Sequence, residues 1–292
     1  MDQIHTPTSS YKRASTLIRG GFLLWPVLLV GFQWVADQVA PGQLLREVPQ
    51  VSHLGWLESS YTYLFLHLFT VVPVLALSFD RNVHYYRQWR YLWGPVLIVG
   101  GVFIAWDVVF TYREVWGFNH DYLSGLFALG LPVEEWLFFM TVPFACVFIY
   151  ECLNFYVKTD ILGPLDPILT PILIVAFLGI GLWHFFQMYT ATTFLLTGGF
   201  LLYHYRFEAK DYRGRFYLAY LVTWIPFLLV NGVLTGGYTQ EPVVIYNPDE
   251  YLGIRVTSIP LDDSVYNLLM LLGVVTLFER NRRGAFAKKE AK

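Results

Sequence analysis

The stretch LPVEEWLFFM, residues 131–140, places two adjacent acids, Glu134 and Glu135, just after a proline and at the head of an apolar run. Proline suits the first turn of a helix, where its missing N–H leaves no bond unmade. The stretch therefore reads as a helix entrance carrying a pair of carboxyl groups. Whether such a pair is ordinary depends on what the helix enters. The chain of 292 residues is 55% hydrophobic and only 14% charged, with a mean hydropathy of +0.46; a soluble domain carries about 25% charged residues. The helix enters a membrane, where ionisable groups are costly and seldom idle.

Apolar runs near 17–37, 61–79, 91–111, 134–157, 168–187, 190–206, 215–235 and 262–279 predict an all-α integral membrane protein with eight transmembrane helices, at roughly 20 residues per crossing. The first run lacks a small-residue cleavage site and is expected to stay as a helix. With both termini cytoplasmic, all 20 Lys and Arg except Arg46, Arg113 and Arg255 fall on the cytoplasmic side. Basic residues resist translocation, so that orientation is the expected one. The net charge of −2 gives no sign of nucleic-acid binding, and none is expected. Cys146 and Cys152 share one predicted helix, too far apart to bridge, and are expected to pack in its core.

The second half repeats the first. Pro260 stands before Asp262 and Asp263 as Pro132 stands before Glu134 and Glu135, and Glu151 and Glu279 follow at equal distances. Tyr122-Leu123 matches Tyr251-Leu252, and RQWRYLWGPVLIVGGVFIAWDVVFT lies over YRGRFYLAYLVTWIPFLLVNGVLT, pairing Asp107 with Asn231. The expected organisation is an extra helix within 1–60, a three-helix unit at 61–157, a connecting helix in 158–189, a second three-helix unit at 190–280 and a basic cytoplasmic tail at 281–292. An odd connecting helix restores direction, so the two units should be parallel repeats about an axis along the membrane normal. Both acidic pairs then emerge on the non-cytoplasmic side.

Adjacent helical residues point about 100° apart, so one acid of each pair can face the bundle while the other faces the loop. Acids in a first turn also suit the helix dipole, an ordinary explanation that the repetition weakens. Asp107 is a third candidate acid, in the outer third of its span, with a hydrogen bond to a neighbouring helix as its ordinary alternative. Asn231 cannot donate a proton as an acid, so the halves are expected to differ. Arg113 and Arg255 lead into the two pairs and are expected to support a carboxylate. Glu151 and Glu279, beside Lys158 and Arg280, are expected to be interfacial or ion-paired. Trp106, Trp116, Trp136, Phe138 and Phe139 crowd the acids, and Tyr122 and Asn231 complete the candidate substrate-binding set. Aromatic faces stabilise cations; acid beside aromatic in a dry site is what carbocation chemistry requires.

The pattern AWDVVFTYREVWGFNHDYLSG followed by PVEEWLFF, repeated more loosely as PLDDSVYNLL, resembles the integral-membrane, flavin-independent lycopene cyclases, whose units occur as paired subunits or as fusions. The resemblance covers roughly 61–280. It implies that Glu134 and Glu135, and by similarity Asp262 and Asp263, are essential acids. It implies a substrate, lycopene or a related linear carotenoid, drawn from the lipid phase, with other carotenoid-pathway enzymes as possible partners. The implied reaction protonates C2 of the C1=C2 bond, lets the C5=C6 π bond close the ring on the C1 cation, and removes the C6 proton to give a β ring. A carboxyl group acts as acid and a carboxylate as base. No electrons move overall, so no cofactor is expected. The extra N-terminal helix and the Asp-Asp pair depart from the family's pattern.

Other classes fit less well. GIGLWH at 179–184 lacks the third glycine and the strand context of a dinucleotide fingerprint. His84, His120, His184 and His204 are scattered without a helical pair at ligand spacing, so no metal is expected. A retinal photoreceptor needs a deep lysine, and the predicted spans have none. A transporter of the small sugar-uniporter type shares the arrangement of three helices, connector and three helices, but the middles of these spans are apolar and the acids gather on one side.

Overall fold

The computed structural model describes residues 48–208 and 210–290, so the predicted helix at 17–37 lies outside the described residues. Among them are seven α-helices: α1 Thr62–Leu77, α2 Trp89–Tyr112, α3 Val133–Tyr156, α4 Asp166–Trp183, α5 Met188–Phe207, α6 Arg213–Leu234 and α7 Leu261–Glu290. Five helical segments, Tyr85–Tyr112, Val133–Tyr156, Gly163–Trp183, Arg213–Leu234 and Leu261–Ala285, are long and apolar enough to cross a membrane, and α1 is apolar but shorter. The chain is a membrane protein. Its outward faces carry rows such as Leu97, Ile98 and Val102 on α2 and Leu221, Ile225 and Leu229 on α6. Such stripes would be a liability in water and are at home against lipid.

Helix α5 is the exception to that rule. It covers the predicted span at 190–206, yet it is not among the helices apolar enough to cross on composition. Nearly every residue from Met188 to Gly199 is buried, the polar Thr190, Thr192, Thr193 and Thr197 included. Two of those hydroxyls bond back to the helix, Thr192 to Met188 O at 2.6 Å and Thr197 to Thr193 O at 2.6 Å. A helix wrapped by protein needs no lipid-facing side, so its sequence is released from the apolar rule.

Glycine brings α4 and α5 together. A Cβ at Gly181 would stand 2.7 Å from Leu195 Cγ, and one at Gly198 would stand 2.9 Å from Leu178 Cγ. Each helix offers a missing side chain to the other's leucine. The connector is also pinned at its far end by a buried ion pair: Arg213 reaches both oxygens of Asp166 at 2.5 Å each and the His204 ring at 3.1 Å. Arg213 is 0% exposed, so its guanidinium is held wholly by protein groups.

Helices α1 and α2 pack on α3, and α5 and α6 on α7; α2 also meets α7, and α6 meets α3. Three short antiparallel ribbons, absent from the purely helical reading of the sequence, join the helix ends. Strand β1 (Trp116–Phe118) pairs with β4 (Val244–Tyr246), matching Trp116 with Tyr246, Gly117 with Ile245 and Phe118 with Val244. Hairpins β2 (Phe127–Ala128) with β3 (Leu131–Pro132) and β5 (Arg255–Val256) with β6 (Ile259–Pro260) run straight into α3 and α7. Leu129 and Gly130 both have positive φ, 53° and 81°, as a two-residue type I′ turn requires. The ribbons fix where the acid-bearing helices begin.

Candidate active site

The four paired acids are all buried, with exposures of 0% for Glu134, 8% for Glu135, 0% for Asp262 and 6% for Asp263. They divide by position, in the same way in both halves. The first of each pair turns back to the loop that precedes its helix. Glu134 Oε1 accepts the Ser124 N–H at 2.8 Å, ten residues upstream. Asp262 accepts the Leu252 N–H at 3.3 Å, again ten residues upstream, and the Thr190 hydroxyl at 2.5 Å. A first-turn carboxylate that accepts an N–H from the preceding loop ties that loop to the start of the helix.

The second acid of each pair faces inward. Tyr63, in the first turn of α1, donates to Glu135 Oε2 at 2.6 Å. Tyr189, in the first turn of α5, donates to Asp263 Oδ1 at 2.6 Å. Asp263 also accepts from Tyr246 and Asn231, both at 2.8 Å. So Asp263 gathers three donors where Glu135 takes one. Both line a cavity of about 50 Å³ between the halves, room for a few water-sized groups. The ribbon roofs it: Trp116 and Phe118 from β1 and Val244 and Tyr246 from β4 all point into the wall, since alternate strand residues share a face. Phe138, Phe227, Asn231, Tyr266, Asn267 and Met270 complete the sides.

Aromatic rings stack around this space. Tyr266 sits 4.8 Å from Phe103, 5.1 Å from Trp106 and 6.1 Å from both Trp116 and Tyr189, each near edge to face. Its hydroxyl is buried without a hydrogen-bond partner among the described residues, as is Oδ1 of Asn267. Asp107, 1% exposed, accepts the Trp116 indole N–H at 2.5 Å and leaves Oδ2 buried without a partner. It stands behind the cavity wall, reaching the chamber through Trp116.

The remaining sequence candidates fall outside the wall. Trp106 and Phe139 pack behind it, on Phe103 and each on a wall ring, Tyr266 and Phe138. Trp136 donates to Ala128 O at 3.2 Å, in the β2–β3 hairpin. Arg255 reaches the Tyr251 hydroxyl at 3.1 Å and the Ser258 carbonyl, and lies 5.7 Å over the Tyr246 ring, so its path to Asp263 runs through that tyrosine. Arg113 caps the end of α2, its N–H on Val109 O at 2.9 Å. At the far end of the bundle Glu151 and Glu279 share Arg282. Arg280 instead pairs with Glu208, because Arg282 lies one turn below Glu279 on the same face and Arg280 does not.

Tyr122 is committed elsewhere. Its hydroxyl donates to Glu58 at 2.6 Å and accepts the Glu241 N–H at 3.2 Å. Glu58 also accepts the Gln240 N–H at 2.8 Å. Burial pushes the Tyr122 phenol up to about 12, and its bond to Glu58 adds to the rise. At Glu58 burial works upward, but the bonds from Tyr122, Gln240 and His53 outweigh it and hold the carboxyl below its usual range. These groups tie the strap 48–58 over the outer loops, where Val51 and Leu54 N–H groups bond to Gly237 and Tyr238 carbonyls.

Tyr63, Tyr189, Tyr246 and Tyr266 are the site groups that the sequence reading missed. A signal existed for the first two: each stands in the first turn of the opening helix of its unit, and extending the repeat upstream would have paired them.

A family model described as lycopene cyclase matches the chain twice, over residues 60–153 and 187–280. Each match opens just before the tyrosine that bonds the inner acid; the first closes near the end of α3 and the second within α7. No curated protein and no solved structure matches.

Proposed function

The chain belongs to the lycopene cyclase family, a carotenoid cyclase of the membrane, and on that premise we propose that it closes lycopene end groups to β rings by proton transfer between Glu135 and Asp263. The observation that carries this reading is the convergence of one inner acid from each half on one aromatic-walled cavity. Glu135 has one oxygen engaged, by Tyr63, and keeps the other for a transferable proton. It protonates C2 of the end group, and the positive charge appears at C1. The C5=C6 π electrons form the C1–C6 bond and leave the charge at C5. Asp263, whose oxygens are fixed by three donors, removes the C6 proton, and the C6–H electrons restore a C5=C6 double bond. Substrate and product are isomers, so neither oxidant nor reductant enters.

The walls suit the intermediate. Faces of Trp116, Phe138 and Tyr266 shelter a cation that water would capture, and each such contact is worth about 0.5–2 kcal/mol. Buried tyrosine hydroxyls hold the acids in place. The end group is bulkier than the cavity, so side chains at its deep wall swing aside on binding. Met270, about 10 Å below Asp263 along α7 by helix rise, is the most adaptable of them. The termini face the cytoplasm and the acids the opposite side, in keeping with the distribution of Lys and Arg.

The test is a lycopene-producing bacterium expressing the chain. Glu135→Gln should abolish ring formation while the protein still accumulates in the membrane; a variant that still makes cyclic carotenes refutes the role.

A further inference from the structure

We propose that the chain has a single cyclisation chamber, to which each half contributes one acid, so that the two ends of lycopene are closed in separate visits with a one-ring carotene released between them. This rests on the cyclase reading and concerns how many working sites the duplication made.

A duplicated enzyme admits two designs, one site per half or one site shared between halves. The acids decide between them. Two independent sites would each need an acid and a base of their own. The other acid of each pair, Glu134 or Asp262, is off the cavity wall and accepts a loop N–H, from Ser124 or Leu252, and Asp107 stands behind Trp116. The acids that line the cavity are Glu135 from one half and Asp263 from the other. The β1–β4 ribbon above them has two-fold register, Trp116 on Tyr246 and Phe118 on Val244. The chamber therefore lies across the line where the halves meet.

The matched positions have also diverged, as two equal sites would not require. Phe138 of α3 corresponds to Tyr266 of α7, and both line the cavity. Asp107 corresponds to Asn231; the first accepts from Trp116 and the second donates to Asp263. Glu135 takes one donor and Asp263 three. One half is built to give a proton and the other to take it.

Length excludes simultaneous closure. Lycopene is about as long as the hydrocarbon core is thick, roughly 30 Å, and both inner acids lie in the first turn of their helices at one end of the bundle. When one end group is in the chamber, the other is far outside it. After the first ring closes, the carotenoid must withdraw and present its open end.

The experiment uses the full chain in liposomes loaded with lycopene. Deuterated one-ring carotene is added midway through the reaction, and the two-ring product is analysed by mass. The expected result is that one-ring carotene accumulates first and that later two-ring product carries the label in proportion to the pool. Two-ring product that stays unlabelled overturns the inference. In parallel, Glu135→Gln and Asp263→Asn should each lose both products by at least about a hundredfold, the lower bound for a general acid or base. One-ring carotene formed at the wild-type rate by either variant overturns the single chamber alone. No ring from the wild-type chain overturns the cyclase reading, and the inference with it.

Discussion

Glu134 and Glu135 are neighbours in sequence, yet replacing them should give opposite phenotypes. Glu134 Oε1 accepts the Ser124 N–H at 2.8 Å, and Oε2 is buried without a partner. In Glu134→Gln the amide oxygen keeps the first bond and the amide nitrogen takes the place of the idle oxygen. A hydrogen bond to a charged group contributes about 1.5–3 kcal/mol and a neutral one about 0.5–1.5, so the loss is about 1 kcal/mol of stability. Activity per folded molecule should stay within a few-fold of wild type. Glu135→Gln keeps its bond to Tyr63 but has no proton to give, and the cost falls on the barrier: a factor of about 10²–10⁴, or roughly 3–5 kcal/mol. The assay is lycopene conversion per unit of folded protein together with the thermal midpoint of the same preparation. A hundredfold loss of rate in Glu134→Gln with an unchanged midpoint would refute the division between loop-holding and cavity-facing acids.

Other consequences test the frame around the site. Arg213→Met leaves Asp166 buried and unpaired and should cost about 3–5 kcal/mol, most of it recovered when Asp166→Leu is added; unfolding midpoints of the single and double variants check this, and a double variant as unstable as the single one contradicts it. Gly198→Ala puts a Cβ 2.9 Å from Leu178 Cγ and should destabilise by about 1–3 kcal/mol by overpacking α4 against α5, again read from the midpoint, with no loss the opposing result. Glu58, held below its usual range, stabilises the folded strap above the ordinary glutamate value of about 4.3, and that contribution disappears as pH falls through its lowered folded value. The protection factors of the Val51 and Leu54 amides, taken against the intrinsic exchange rate at each pH, should therefore fall on acidification below that value; protection factors unchanged at acid pH contradict the role.

The helices were legible because a long apolar run has few other solutions in a bilayer. Within the described residues every predicted span has a helix, even the short one at 190–206, whose threonines made it the least apolar. The acid pairs were legible because proline, acids and apolar run recur together in the second half. What the pairs do was not legible. Which of two adjacent acids faces inward depends on where the helix starts, and the β2–β3 and β5–β6 hairpins set that start through turn geometry that apolar periodicity does not register. The tyrosines that hold the inner acids come from other elements, α1, α5 and β4, so no local pattern announces them. Tyr122 illustrates the converse: close to the acids in sequence, it is drawn away by Glu58, which lies ahead of α1. Asp107 was visible as a polar residue in a span, but only the ribbon that delivers Trp116 shows how it is tied to the chamber.

In the proposed reaction an exchangeable carboxyl group hands its hydrogen to an alkene in a water-poor chamber. The most direct measurement is a single turnover by the chain in liposomes equilibrated in heavy water before lycopene is supplied, with the products resolved by mass and deuterium position. The expected products carry one deuterium at C2 for each ring closed and no other change in composition. Ring products formed without deuterium, or with a gain or loss of two hydrogens, would contradict that reaction.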